Sequence, residues 1–215
     1  MIISPGRGYV FVHIPKTGGT ALSVALEARA KKDDILIGDT PKAIRRRKRL
    51  KGLTTRGRLW KHSTLADIDG LLPAGQLETL YAFTLVRNPW DRMVSYYHWL
   101  RAQSFDHPAV RLAATVDFEA FVLDPTTGAS MQAAPVASYM RLASGVVKCD
   151  AYIRLEHFEQ DAGPLFDHLG FSLTLERHNA SARARGYHDY YTAQSRDAVA
   201  RCCAQDISQF GYAFD

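Results

Sequence analysis

His13-Ile14-Pro15-Lys16-Thr17-Gly18-Gly19-Thr20 follows directly on the apolar run Tyr9-Val10-Phe11-Val12 and leads into Ala21 to Ala30, a stretch with helical character. A strand, a glycine-rich turn with one lysine, and a helix make a cradle for an anion. The glycines let the backbone approach the ligand closely, and the N–H groups of the turn and of the first helical turn point at it. Lys16 adds a compact, movable charge. This order of elements predicts a phosphate-bearing ligand on an α/β fold.

The stretch is not a Walker-type nucleotide loop. With Lys16-Thr17 as its Lys-Thr pair, that pattern requires glycine at positions 10 and 15, which hold Val10 and Pro15. The glycines come after the lysine instead. A Walker enzyme also closes a second apolar strand with a magnesium-holding aspartate. The best second strand, Tyr81 to Val86, runs into Arg87. A cation there suits direct anion binding.

Arg87 opens Arg87-Asn88-Pro89-Trp90-Asp91-Arg92-Met93-Val94-Ser95-Tyr96-Tyr97. Asn88 is a good helix cap and Pro89 fits the first helical position, so a helix is predicted from Pro89 to about Arg101. Arg92 and Ser95, three apart, share a helix face. Arg87 stands at the end of a strand, where open α/β sheets bind ligands. Two anion-binding turns suit a nucleotide with phosphates at two separate places.

His13 to Thr20 resembles the 5′-phosphosulfate loop of sulfotransferases, and Arg87-Asn88-Pro89 with Ser95 resembles their 3′-phosphate motif. The likeness is to the family that includes carbohydrate sulfotransferases and small soluble bacterial relatives. Lys61-His62-Ser63, Arg154-Leu155-Glu156, Asn179-x-Ser181, Tyr190-Tyr191 and Asp206-x-x-x-Phe210-Gly211-Tyr212 extend it over nearly the whole chain. The resemblance implies a P-loop-like sulfotransferase fold, three-layer α/β/α with a mostly parallel central sheet. It implies transfer of a sulfuryl group from 3′-phosphoadenosine 5′-phosphosulfate (PAPS) to an acceptor hydroxyl on a glycan, a lipid head group or a small metabolite, with no metal. Pro15, Lys16, Thr17, Gly18, Gly19 and Thr20 would hold the 5′ end of the donor, and Arg87 and Ser95 its 3′-phosphate. Arg183 and Arg185 fall where relatives close a loop over the nucleotide. His62 stands where relatives place the base, with Lys16 on the leaving group; His13 and Glu156 are the competing bases. A P-loop-like phosphotransferase and a non-catalytic protein that binds the nucleotide bisphosphate are the alternatives.

Composition sets bounds around this reading. At 215 residues the chain is expected to form one domain, 1–215, with a substantial core. Apolar stretches stay short of the roughly 18 residues that span a membrane, and the first residues do not read as a signal peptide. The three cysteines, Cys149 and the adjacent Cys202-Cys203, lack both framework and metal-ligand spacing. The cysteine pattern suggests reduced thiols in a cytoplasm, and, since eukaryotic members of the family it resembles are usually membrane-anchored, the resemblance implies a soluble bacterial relative.

The pattern predicts strands at Tyr9–His13, Ile35–Ile37, Tyr81–Val86 and Ala151–Leu155. It predicts helices at Gly19–Ala30, Leu65–Leu72, Pro89–Arg101, Phe118–Leu123, Ala134–Leu142, Phe158–His168 and Ala193–Gln209. Ser104 to Met131, with scattered Pro and Gly, reads as loop near the acceptor cleft. From Lys42 to Lys61 there are ten basic residues and no acid, within a chain of formal net charge +5. That run fits an anionic glycan or lipid, with peripheral membrane contact, or equally a solvated loop. Interleaved aromatic residues and motifs of the kind that bind nucleic acid are missing before Trp60.

Overall fold

The computed structural model describes residues 1–176 and 186–215. Its five strands are β1 (Ile2–Ser4), β2 (Tyr9–Val12), β3 (Ile35–Leu36), β4 (Tyr81–Val86) and β5 (Ala151–Arg154). The helices are α1 (Gly19–Ala28), α2 (Pro41–Arg46), α3 (Gln76–Thr79), α4 (Pro89–Arg101), α5 (Pro108–Thr115), α6 (Phe118–Leu123), α7 (Pro125–Ala133), α8 (Val136–Tyr139), α9 (Phe158–Asp161), α10 (Gly163–Leu169), α11 (Ala193–Cys202) and α12 (Ala204–Phe210). These elements form two compact units. Counting described residues, one comprises 1–86 and 136–176, the other 87–135 and 186–215.

The first unit holds the sheet, in the order β3-β1-β2-β4-β5. β2 pairs with β4 and β4 with β5 in parallel, with Val12 opposite Thr84 and Thr84 opposite Tyr152. β1 is antiparallel to both β2 and β3, so half of the pairings are parallel. β1 is a strand the sequence pattern did not separate from the chain start. Both faces of the sheet are covered. Ile2, Tyr9, Phe11, Phe83, Leu85 and Ile153 pack with Leu22 and Leu26 of α1 and with Phe158 and Leu165 of α9 and α10. Ile3, Val10, Val12 and Ala82 pack on the other face with Leu65, Ile68, Leu77, Leu80 and Met140. Strands buried on both faces read as unbroken apolar runs, which is why β2 and β4 were legible.

That second face corrects an expectation. Leu65–Leu72 is not a helix but a series of turns. Asp67 accepts from the Thr64 N–H at 2.8 Å, while Thr64 Oγ1 accepts from the Asp67 N–H at 3.1 Å. The backbone bonds outward as well, with Leu65 N–H on Tyr139 O and Gly57 N–H on Asp67 O. Short polar side chains that bond the local backbone compete with a helix, and here they prevail. Ala134–Leu142 shrinks to α8, and the helices expected at Phe158–His168 and Ala193–Gln209 are each divided in two.

The second unit is helical, with a core of Trp90, Met93, Val94, Tyr97, Phe118, Phe121 and Val199. Here Ser104 to Met131 is not loop: it contains α5, α6 and most of α7. His107, Asp117 and Asp124 cap these helices, and Pro108 and Pro125 stand at their starts. The scattered prolines mark first turns rather than breaks, because the missing N–H is one that a helix start leaves unbonded anyway. The three thiols are unpaired. Burial pushes the Cys149 thiol up to about 12.

Candidate functional site

In the sheet unit the turn after β2 is tightly determined. Lys16 has φ +66, the one non-glycine residue with positive φ among those described, and Gly18 has φ +86. Left-handed backbone costs a side-chain-bearing residue about 1–2 kcal/mol, and such strain persists where the surroundings enforce it. The enforcing contacts are visible. Thr17, fully buried, donates its hydroxyl to Ile14 O at 3.0 Å. A Cβ on Gly18 would lie 2.7 Å from Leu155 Cδ1, and one on Gly19 would enter the His13 ring. Packing therefore requires both glycines, and the left-handed backbone is a second requirement at Gly18 alone. α1 begins at Gly19, capped by left-handed Gly18. Ala21 N–H already bonds Gly18 O at 3.1 Å; the N–H groups of Gly19 and Thr20 before it have no acceptor within the helix and form the positive end of its dipole, so the turn can bind an anion.

His62 lies in the same unit, half-buried. Its Nδ1 donates to the His13 carbonyl oxygen at 2.7 Å. Because a carbonyl only accepts, the neutral ring carries its hydrogen on Nδ1 and its lone pair on Nε2. The ring is held edge-on between His13 (centroids 4.7 Å apart) and Trp60 (5.0 Å). Burial pushes its pKa down to about 4. The ring is therefore neutral and can accept a proton. Next to it, Lys61 pairs with Asp39 at 2.6 Å. His13 itself is buried and stacks on Phe11 at 6.0 Å. Burial also holds it well below the usual histidine range. With its ring wedged against Gly19, His13 supports the turn. Glu156 is exposed on the short 3-10 turn Leu155–His157. Arg154 holds Asp161 through two guanidinium nitrogens, at 2.7 and 3.0 Å.

In the helical unit Arg87 is held by Asp91. Arg87 Nε and Nη2 both donate to Asp91 Oδ2, at 2.8 and 2.6 Å. Asp91 carries no role in the sequence analysis; its i,i+4 spacing from Arg87 was the signal for this pair. It orients the guanidinium fork. Asn88 caps α4 by accepting from the Trp90 and Asp91 N–H groups. Its amide donates to Ala213 O at 3.1 Å, tying the start of α4 to the C-terminal segment. Ser95 is buried on α4, one turn after Asp91. Arg92, expected to share Ser95's role-bearing face, stands 3.9 Å from Asp206 of α12. Arg183 and Arg185 lie outside the described residues.

Among the described residues no group of His, Cys, Asp and Glu is arranged to hold a metal ion, and no helix is long and apolar enough to cross a membrane. The sequence model of a family described as the sulfotransferase family matches residues 1–213. Among solved structures, the chain is similar to mouse sulfotransferase SULT7A1 complexed with PAP, at 17% identity and a TM-score of 0.52. That match covers 95% of this chain and 85% of the mouse one, and it shows a shared fold. No curated protein matches the chain.

Proposed function

The chain belongs to the sulfotransferase family, and on that premise we propose that it moves a sulfuryl group from PAPS to an acceptor hydroxyl. The observation that carries this reading is the strained glycine turn at the start of α1, in the same unit as a histidine held in its neutral, Nε2-basic form. In the proposed reaction the acceptor oxygen attacks sulfur, and the bond between sulfur and the bridging phosphate oxygen breaks. Nε2 of His62 takes the acceptor's proton, and adenosine 3′,5′-bisphosphate leaves. A pKa of about 4 is low for a general base at neutral pH, but the negative charge of a bound donor would raise it.

Lys16 would stabilise the negative charge that grows on the bridging oxygen. The backbone from Pro15 to Thr20 would hold the 5′-phosphate. Arg87, oriented by Asp91, and Ser95 would hold the 3′-phosphate, and Arg183 and Arg185 are further candidates for it. Fixed cations of this kind can supply charge stabilisation that metal ions supply in kinases. The acceptor class extends to glycans, lipid head groups and small metabolites.

The test is calorimetry followed by turnover. The 3′,5′-bisphosphate should bind far more tightly than ADP. Arg87→Ala should erase roughly 10- to 100-fold of that preference, since a charge-assisted contact contributes about 1.5–3 kcal/mol. Equal affinity for the two nucleotides in the unmodified protein would refute the 3′-phosphate assignment. Labelled PAPS and fractionated extracts, read by mass spectrometry for a gain of one sulfuryl group, would identify the acceptor.

A further inference from the structure

Among the described residues six large apolar side chains stand exposed, and three fall in one stretch: Ile44 (50% exposed), Leu53 (41%) and Trp60 (45%). Between Ile44 and Trp60 the chain carries eight cations and no acid. These cations divide into two sets. Arg46 donates to Lys31 O at 2.8 Å, Arg49 to Lys32 O at 2.7 Å and Arg56 to Ala143 O at 3.3 Å. Just before them Lys42 donates to Glu27 O. These side chains fasten the run to the sheet unit through backbone carbonyls. Arg45, Arg47, Lys48, Lys51 and Arg58 are exposed, and their side chains make no hydrogen bond or ion pair among the described residues.

The run is therefore a folded element, α2 followed by a 3-10 helix at Arg47–Leu50, that presents charge outward. Helical spacing puts Arg47 and Lys48 beside Ile44. Clustered like charges repel one another, and an opposing negative surface relieves that repulsion. A water-soluble polyanion would engage the cations but leave Ile44 and Leu53 in water. An anionic bilayer engages both, with cations at the head groups and apolar side chains in the interfacial layer.

We infer that residues 44–60 dock the protein on an anionic phospholipid surface. The inference stands independently of the sulfuryl-transfer reading. Docking through Trp60 would bring Lys61 and His62, the next two residues, to the membrane boundary.

The test is co-sedimentation of the full chain with vesicles of mixed phosphatidylserine and phosphatidylcholine, against phosphatidylcholine alone. Binding to the anionic vesicles, a blue shift in tryptophan emission and weakening by salt are expected. The quadruple variant Arg45→Gln, Arg47→Gln, Lys48→Gln, Lys51→Gln should bind at least about tenfold more weakly, since each cation near such a surface contributes about fivefold. The double variant Ile44→Ser, Leu53→Ser should also bind vesicles more weakly while keeping its retention on heparin. Both variants spare the fastening side chains, so their melting temperatures should match the unmodified protein. If the quadruple variant melts early, the vesicle comparison and the double variant still decide. Failure to bind anionic vesicles at low salt would overturn the inference, as would equal binding to neutral ones. Vesicle binding indifferent to Ile44→Ser, Leu53→Ser would overturn it in favour of a polyanion.

Discussion

Gly19→Ala tests whether the His13 ring holds the turn and the candidate base in register. The backbone at Gly19 is not left-handed, so alanine meets no conformational objection. At the first position of α1 it would even contribute up to about 1 kcal/mol relative to glycine. The obstacle is packing. The added Cβ would stand 2.5 Å from His13 Nε2 and 2.8 Å from Cγ, inside the ring's van der Waals envelope. His13 cannot swing away cheaply, because it is 6% exposed and lies between Phe11 and His62. Overpacking of this kind costs about 1–3 kcal/mol. Set against the helix gain, the net loss should be about 1–2 kcal/mol. For a chain of this size that lowers Tm by roughly 2–8 °C. Turnover should fall too, since a displaced His13 moves the carbonyl that holds His62 Nδ1. Thermal melts and steady-state assays would be run beside Gly128→Ala on α7, where an added Cβ meets nothing within 4 Å. That control should gain about 0.5–1 kcal/mol. If Gly19→Ala melts at or above the unmodified protein, the packing argument fails.

His62→Ala should lose roughly two to four orders of magnitude in kcat with little change in nucleotide affinity; near-normal turnover would transfer the role to His13 or Glu156. With His62 depressed to about 4, the acidic limb of kcat/KM for the donor should fall below pH 5, and a limb at 6.5 would contradict its burial. The stability sign follows from the same shift. The unfolded ring takes a proton near pH 6.5 but the folded one only near 4, so stability is lost as pH falls through that window. His13, shifted the same way, adds to the loss. Lys16→Gly should be about 1 kcal/mol more stable than Lys16→Ala, because glycine removes the left-handed strain at φ +66. Both should lose donor binding and turnover, and identical melts would remove strain from the account of the turn.

The sequence alone determined the parts of this protein that are local. β2 is a continuous apolar run and β4 is apolar but for Thr84, because both faces are buried, and α4 matches its expected bounds because Asn88 and Pro89 mark its start. The glycine turn was legible for the same reason: its residue types are dictated by backbone conformation within a few positions. Tertiary structure decided what depends on distant partners. The hydrogen bond from His62 to His13 O spans 49 positions of sequence and fixes which nitrogen is basic. Gly19 is required by a ring six residues earlier that only folding brings back upon it. The backbone of Leu65–Leu72 bonds to segments elsewhere, which no helical period could reveal. In the basic run the division between fastening and outward-facing cations depends on carbonyls at Lys31, Lys32 and Ala143. Charge is written in the sequence, but whether a charge is spent within the fold or left facing outward depends on the acceptors that the folded chain places beside it.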